Sequence, residues 1–223
     1  MGTAGLKPGL KARKPRQVKT AAGGADGLGD EGLLGRRKLA LICSQKCPGD
    51  VILKTYDFAR LVRGSGIAVV SGFHSPIEKD CLPILLRGQD PIIIVQGHRL
   101  STSRLPRAWQ KAIDAGRLLL LSPFGKKDRR VTTELAAQRN RFVAAISDVV
   151  LIPYAAVASK TEALGLDLLK SGKRVYTFSD RPGPLLAAAQ LVTPEFFSRP
   201  ALAGGAYRNS GDHFGITLCR RGH

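Results

Sequence analysis

Acidic and aromatic residues are scarce in this sequence of 223 residues. Aspartate and glutamate number 17 against 35 lysines and arginines, which leaves a formal net charge of +18. A surface with so few acids attracts polyanions, and nucleic acid is the commonest partner of such a chain. Because only 6% of the residues are aromatic while 43% are hydrophobic, aliphatic side chains must fill the core.

The sequence also lacks the apolar segments that membranes and secretion require. No run reaches the length that spans a bilayer, and the N-terminus has no apolar core of the kind found in secretory signals. We therefore expect a cytoplasmic protein without a membrane partner.

Metal-binding and catalytic signatures are missing as well. The cysteines are Cys43, Cys47, Cys81 and Cys219, and they form no C-x2-C pair, which disfavours a zinc site and a disulfide framework. The GxSxG, HExxH and Walker A motifs do not occur, which disfavours the hydrolases and NTPases that use them. We expect no metal and no cofactor, and a binding protein rather than an enzyme.

The composition divides the chain into three parts. Residues 1–37 are rich in Gly, Ala and Lys without apolar periodicity, which is typical of a disordered basic arm. Residues 38–190 carry the regular pattern of one folded domain. The pattern fades in residues 191–223, so we expect a partly ordered tail there, with Phe196 and Phe197 as candidates for packing on the domain.

Within residues 38–190, short apolar runs alternate with amphipathic segments. The predicted strands are Leu39–Cys43, Ile67–Val70, Ile92–Val95, Leu118–Leu121, Val149–Ile152 and Val175–Phe178. The predicted helices are Val51–Arg63, Pro76–Arg87, Pro106–Ala115, Thr132–Ile146 and Lys160–Ser171. This alternation predicts an α/β fold, namely a Rossmann-like, doubly wound and mostly parallel sheet with helices on both faces.

Small polar residues and cations follow the predicted strands at the end where doubly wound sheets bind ligands. Ser44 and Lys46 follow the first strand, and Ser71 and Gly72 follow the second. Hydroxyls, ammonium groups and the backbone N–H groups of small residues are suitable donors to phosphate. The pattern predicts an anion-binding rim at this edge of the sheet.

Arg139 falls on the apolar side of the predicted helix before the fifth strand. A continuous helix would place it with Leu135, Phe142 and Ile146. A buried and unpaired arginine costs too much for that arrangement to stand alone. Either the helix restarts near Gln138 and leaves free N–H groups in its first turn, or Arg139 reaches an anion at the end of a neighbouring strand. Both interpretations predict a basic pocket beside the sheet.

Two segments look like capping boxes, in which a glutamate follows a serine by three residues. Ser75 is followed by Glu78, and Ser159 is followed by Glu162. A glutamate at this position normally reaches back to the start of its helix. For Glu162 the functional alternative is a general base or an acceptor from a ribose hydroxyl.

Four segments of the chain resemble signatures of the DprA/Smf family of Rossmann-type DNA-processing proteins. The family motifs GSR, SGxARGID, SRNRxIAxLSD and GxxVxAVPG correspond to residues 43–45 (CSQ), 71–78 (SGFHSPIE), 138–148 (QRNRFVAAISD) and 172–180 (GKRVYTFSD). The RNR element is the specific part of the resemblance. At Gln45, Ser75 and Pro76 the sequence departs from the family pattern.

The resemblance implies that the strand-end rim binds single-stranded DNA and that the protein helps to load a recombinase, without known catalysis. It also makes a homodimer the expected assembly. The residues predicted to hold phosphate or nucleic acid are Ser44, Lys46, Ser71, Gly72, Arg139, Asn140, Arg141, Lys160 and Thr161.

The LOG-type phosphoribohydrolases of the same wider superfamily provide an alternative. They place an arginine one helix before a strand that ends in PGGxGTxxE, and Arg139 and the segment Pro153 to Glu162 resemble that arrangement in part. In this interpretation Arg139 orients a nucleoside monophosphate and Glu162 acts at its glycosidic bond. A module that senses a nucleotide without turnover is a third possibility.

Overall fold

The computed structural model describes residues 14–101, 105–125, 127–128 and 130–198. The strands are β1 (Arg16–Thr20), β2 (Gly23–Gly29), β3 (Lys38–Leu41), β4 (Ala68–Ser71), β5 (Ile92–Val95), β6 (Leu118–Ser122), β7 (Val149–Leu151), β8 (Val175–Thr177) and β9 (Gln190–Leu191). The helices are α1 (Gly49–Leu61), α2 (Pro76–Leu86), α3 (Arg107–Asp114), α4 (Thr133–Ile146), α5 (Lys160–Lys170) and α6 (Pro184–Ala188). Short 3-10 helices occupy Glu31–Gly35 and Pro194–Ser198.

Within the described part of the chain the strands form one sheet, in the order β1-β2-β6-β5-β4-β3-β7-β8-β9. The seven strands β6-β5-β4-β3-β7-β8-β9 pair in parallel. The strands β1 and β2 pair antiparallel with each other, and β2 pairs antiparallel with β6. The predicted Rossmann-like, mostly parallel sheet is confirmed.

Both faces of the central strands are buried, and alternate residues along the chain enter different cores. Leu39 and Leu41 of β3 belong to the core beneath α1, α2 and α3. Ala40 and Ile42 belong to the core beneath α4, α5 and α6. Because neither face of the central strands meets water, these strands appear in the sequence as unbroken apolar runs.

The direction of chain growth reverses at β3. From β3 the chain adds β4, β5 and β6 on one side, and then returns through α4 to place β7 on the other side. This reversal opens a crevice at the carboxyl ends of β3 and β7, which is where doubly wound sheets bind ligands.

The N-terminal segment corrects the prediction of a disordered arm over residues 1–37. Residues 1–13 lie outside the described residues, but β1 and β2 form a hairpin that extends the sheet beyond β6. The strand signal is weak because β2 consists of GGADGLG, which has little strand propensity. The hairpin forms because Val18, Ala25 and Leu28 are buried by the contact with the sheet.

The tail prediction for residues 191–223 falls mostly outside the described residues, which end at 198. Phe197 is 1% exposed and its ring lies 5.1 Å from that of Phe58 and 5.7 Å from that of Tyr176, centroid to centroid. The segment Pro194–Ser198 is therefore part of the core beneath α1. The division of the chain into three domains otherwise stays a prediction.

The helices in the described residues do not combine enough length and apolarity for any of them to span a bilayer.

Replacing Gly29 tests whether β2 belongs to the sheet. Gly29 has φ +123°, and a Cβ atom there would collide with the Leu118 carbonyl oxygen and lie 3.1 Å from Leu119 Cα. We expect Gly29→Ala to lower the free energy of unfolding by about 1–3 kcal/mol, because backbone strain and the collision both act against pairing with β6. Gly35→Ala is the matched control, since its Cβ would meet nothing within 4 Å. Urea denaturation in which both variants lose equal stability would contradict the pairing.

Candidate functional site

A cavity of about 610 Å³ lies at the carboxyl ends of the central strands. Its walls come from the residues that follow β3 and β4, from the first half of α4 and from the first turns of α5. This is the edge of the sheet at which the chain reverses its direction of growth.

The helix α4 is continuous from Thr133 to Ile146. Thr132 caps it by accepting a hydrogen bond from the Leu135 backbone N–H at 3.2 Å. The interpretation in which the helix restarts near Gln138 is therefore wrong. Arg139 leaves the apolar side of α4 and extends to the end of β4, which is the location that the other interpretation gave it, and its hydrogen bonds there go to Asn140.

Arg139 is 4% exposed, and its guanidinium lies against backbone at the strand ends. Its Nε and Nη2 donate to Asn140 Oδ1 at 3.2 and 2.9 Å. A Cβ atom on Gly72 would lie 2.8 Å from Arg139 Cδ, so only a glycine leaves room for this arginine. Burial lowers the pKa of Arg139, and the negative charge of Glu78 opposes that shift.

The carboxylate of Glu78 is the buried anion of this region, with 2% of the residue exposed. Its Oε1 accepts from the Cys43 backbone N–H at 2.9 Å, and its Oε2 accepts from the His74 backbone N–H at 2.9 Å and from Ser71 Oγ at 3.3 Å. Ser75 caps α2 as the sequence predicts, accepting from the Glu78 backbone N–H at 3.4 Å. The Glu78 side chain, however, joins the ends of β3 and β4 instead of returning to the Ser75 backbone.

The serine hydroxyls predicted to bind phosphate are engaged inside the protein. Ser71 is fully buried, and its Oγ donates to Glu78 and accepts from the Phe73 backbone N–H at 3.0 Å. Ser44 Oγ accepts from the Ala156 backbone N–H at 3.0 Å and so joins the loops after β3 and β7. These two serines hold the floor of the site together, and they do not line the cavity.

Five of the predicted residues line the cavity, namely Arg139, Asn140, Arg141, Lys160 and Thr161. Arg141 and Lys160 are exposed, whereas Asn140 and Thr161 are partly buried. The helices α4 and α5 thus present two exposed cations from two different walls. Lys46 is exposed but lies outside the lining, as does Gly72 beneath Arg139.

The polar lining includes residues that the sequence did not point to, among them Gln45, His74 and Glu134. Helical spacing contained the signal for Glu134, because residues three and seven positions before Arg141 share its side of α4. The pKa of Glu134 is lowered by its own backbone N–H, by the Thr132 hydroxyl and by the positive charge of Lys160. An exposed acid, in addition to the buried Glu78, therefore lies among the cations of the cavity.

Glu162 lies in a different place from the one that the phosphoribohydrolase interpretation requires. It is 5% exposed, and its Oε2 accepts from the Ala158 backbone N–H at 2.8 Å, while Ser159 Oγ accepts from the Glu162 N–H at 3.1 Å. Its carboxylate borders a separate cavity of about 40 Å³, together with Thr177 and Gly183. The structure does not bring Glu162 and Arg139 to one cavity.

Metal binding has no candidate among the described residues, where no three His, Cys, Asp or Glu side chains cluster in a way that would hold an ion.

The family model of DNA recombination-mediator protein A matches residues 27–184. This chain belongs to that family. The matched range contains β3 to β8 and every residue that lines the cavity. The resemblance identified in the sequence is thereby confirmed at the level of the family, and no curated protein matches the sequence.

Two solved structures of DNA processing protein A share the fold. The protein from Streptococcus pneumoniae is 20% identical with a TM-score of 0.63, and the match covers 79% of this chain and 65% of that one. This chain thus spans less than two thirds of the S. pneumoniae protein. The protein from Helicobacter pylori is 25% identical with a TM-score of 0.62, covering 75% of this chain and 81% of that one. The H. pylori structure describes how that protein binds single-stranded DNA.

A methyl group on Gly72 tests the position of Arg139. We expect Gly72→Ala to push the arginine into the cavity and to lower the free energy of unfolding by about 1 kcal/mol, the low end for overpacking, because the long side chain can move. The control is Gly97→Ala, whose Cβ would lie 3.4 Å from Arg139 Nη1, an ordinary contact. In an Arg139→Ala background the Gly72→Ala cost should disappear in urea denaturation. An unchanged cost there would show that Arg139 does not lie over Gly72.

We expect protonation of His74 to lower the free energy of unfolding in mild acid. Burial lowers the pKa of His74 below 6.5, and the positive charges of Arg139 and Lys79 lower it further, against an opposing effect of Glu78. As the pH falls from 7 to 5 the unfolded chain therefore binds a proton at His74 before the folded chain does, and stability decreases.

Two measurements check the titration of His74. Proton NMR should give a pKa below that of an unfolded peptide, and Lys79→Gln should raise it by removing an exposed positive charge. His74→Asn should reduce the loss of stability between pH 7 and pH 5 in urea denaturation. A pKa that Lys79→Gln leaves unchanged would contradict the proposed electrostatic cause.

Proposed function

We propose that this protein binds single-stranded DNA through the cavity between α4 and α5, and that it acts in DNA processing. The observation that carries the proposal is the meeting of Arg139, Arg141 and Lys160 around one cavity of about 610 Å³. A cavity of this size falls within the usual range for a bound small molecule, and a nucleotide unit fits that range. Membership of the DNA recombination-mediator family supports the proposal, as does the single-stranded DNA binding described for the H. pylori relative.

The three cations of the cavity differ in how many hydrogen-bond donors they have available for a phosphate. Arg141 and Lys160 are exposed and uncommitted to any ion pair found among the described residues, so their donors are free to meet a ligand. Arg139 donates to Asn140 through Nε and Nη2, which leaves Nη1 as its remaining donor group. We infer that Arg141 and Lys160 bind successive phosphates and that Arg139 fixes the floor between them.

The departures from the family pattern limit the strength of this binding. Gln45 is neutral where the family motif has arginine, and Glu134 places a negative charge beside Lys160. With about three cations facing the strand, the logarithm of the affinity should fall against the logarithm of salt concentration with a slope of about −2.

Titration of a fluorescently labelled oligothymidylate, followed by anisotropy at several salt concentrations, tests the proposal. We expect Arg141→Ala and Lys160→Ala each to weaken binding and to reduce the salt slope by about 0.7, because each removes one phosphate contact from a single strand. Arg87→Ala is the matched control, since Arg87 is an exposed arginine at the far end of α2, away from the strand ends. Equal affinities for all three variants would remove the cavity as the binding site.

A mononucleotide is the competing ligand. If the protein senses a nucleotide, a nucleoside monophosphate should displace the oligonucleotide with a comparable affinity, and the length of the strand should not matter. If it is a phosphoribohydrolase, incubation with the monophosphate should release free base, and Glu162→Gln should stop that release. We expect neither result, because Glu162 borders a different cavity.

The wider role extends from the same proposal. We infer that the protein is a cytoplasmic homodimer that cooperates with a recombinase, as the family resemblance implies. Sedimentation measures whether the protein is a dimer. Recovery of a recombinase together with the protein on single-stranded DNA measures whether the two cooperate.

A further inference from the structure

A second and larger cavity, of about 820 Å³, lies at the opposite edge of the sheet from the cavity between α4 and α5. Its walls come from the amino ends of β3, β7 and β8, the C-terminal end of α4 and part of the β1–β2 hairpin. We call this cavity the amino-edge groove. Asp148 is the only acid among the described residues that line it. Four of the lining side chains are cations, namely Lys19, Lys38, Lys173 and Arg174.

Two of these cations are held in place by backbone carbonyl groups. The side chain of Lys38 is 13% exposed, and its Nζ donates to the Leu34 and Arg36 carbonyl oxygens at 2.9 and 2.8 Å. Lys173 is partly buried, and its Nζ donates to the Ser147 carbonyl oxygen at the end of α4. Carbonyl groups orient an ammonium group without adding a full charge, since even the C-terminus of a helix contributes only about half a negative charge.

Asp148 lies too close to Lys38 to balance the rest of the groove. Its Oδ2 accepts from the Lys38 backbone N–H at 2.6 Å and lies 3.5 Å from Lys38 Nζ. Burial lowers the pKa of Lys173, the negative charge of Asp148 opposes that shift, and the positive charge of Lys38 adds to it. Lys19 and Arg174 are exposed and bring two further positive charges. The lining therefore keeps an excess of positive charge.

We propose that the amino-edge groove is a second binding site for the phosphate groups of nucleic acid. An ammonium group that a carbonyl already orients loses little freedom when a phosphate binds to it. The exposed lysine and arginine supply further charge-assisted donors. A polynucleotide carries a charge on every nucleotide, so it can contact the fixed and the exposed cations together.

The two sites are independent of each other in the fold. The cavity between α4 and α5 lies at the carboxyl ends of the strands and uses Arg141 and Lys160, whereas the groove lies at the amino ends and uses other cations. A protein with both sites holds two segments of nucleic acid at once, one at each edge of the sheet.

Acetylation of the lysines by a soluble N-hydroxysuccinimide ester tests the proposal. The full-length protein is treated with and without oligothymidylate, and mass spectrometry measures the rate at which each lysine is acetylated. We expect oligothymidylate to slow the reaction of Lys19 and Lys173, because a bound phosphate covers the amines and favours their charged form. Lys111, an exposed lysine of α3, is the control and should react equally in both samples. Unprotected Lys19 and Lys173 would overturn the proposal.

The same measurement separates this proposal from the proposed function. Protection of Lys160 without Lys19 and Lys173 would support the cavity and overturn the groove, and the reverse pattern would support the groove alone. In a variant that combines Arg141→Ala with Lys160→Ala, protection of Lys19 and Lys173 should persist. Its loss there would overturn the groove as a site of its own.

A charge reversal and two competing anions identify the ligand. Lys19→Glu should abolish the protection of Lys173, because the new carboxylate repels phosphate, whereas Lys111→Glu should preserve it. Protection that survives Lys19→Glu would contradict the proposal. Inorganic phosphate and polyglutamate, each at the same concentration of charge, should protect less than oligothymidylate. Equal protection by free phosphate or by the acidic peptide would overturn the assignment to nucleic acid.

Discussion

The burial of two opposite charges at the ends of the central strands is the constraint on which this structure depends. Glu78 is 2% exposed and Arg139 is 4% exposed, and each would be costly to bury alone. Glu78 satisfies its oxygens with donors from the ends of β3 and β4, and its charge favours the charged form of Arg139. The arginine in turn requires Gly72, because its side chain occupies the space of a Cβ atom there. These contacts join α2, α4 and two strands at one point.

That arrangement decides which groups remain for a ligand. The hydroxyls of Ser44 and Ser71, and the backbone N–H groups of Cys43 and His74, are already paired within the protein. In a site that binds phosphate at the strand ends themselves, such groups would face the ligand. Here the Glu78 carboxylate takes the place that the ligand's phosphate would have. The cations that stay exposed, Arg141 and Lys160, come from the helices, so the proposed binding surface lies on the walls of the cavity and not on the sheet.

The loop that joins β3 to α1 is held in place at both of its ends. The loop from Cys43 to Cys47 is held on one side by the bond between the Cys43 N–H and Glu78. It is held on the other side by the start of α1, where Asp50 forms a bidentate pair with Arg181 at 2.8 and 3.0 Å. A loop fixed at both ends presents Gln45 to the cavity.

The sequence alone determined the parallel sheet, because strands that are buried on both faces must appear as apolar runs such as Ile92–Val95, and these runs need no knowledge of their neighbours. It also indicated the importance of Arg139, since a guanidinium on an apolar helix face demands a partner. It could not identify the surroundings of Arg139, because the backbone of Gly72 and the charge of Glu78 come near it only after α4 crosses back over the sheet. The hairpin of β1 and β2 was hidden for a related reason: its glycine-rich strand has little intrinsic preference for extended structure and is stabilised by pairing with β6. Tertiary packing alone decided which serines form hydrogen bonds inside the protein, which cations face the cavity and where Glu162 lies. These features depend on contacts between residues that are far apart in the chain.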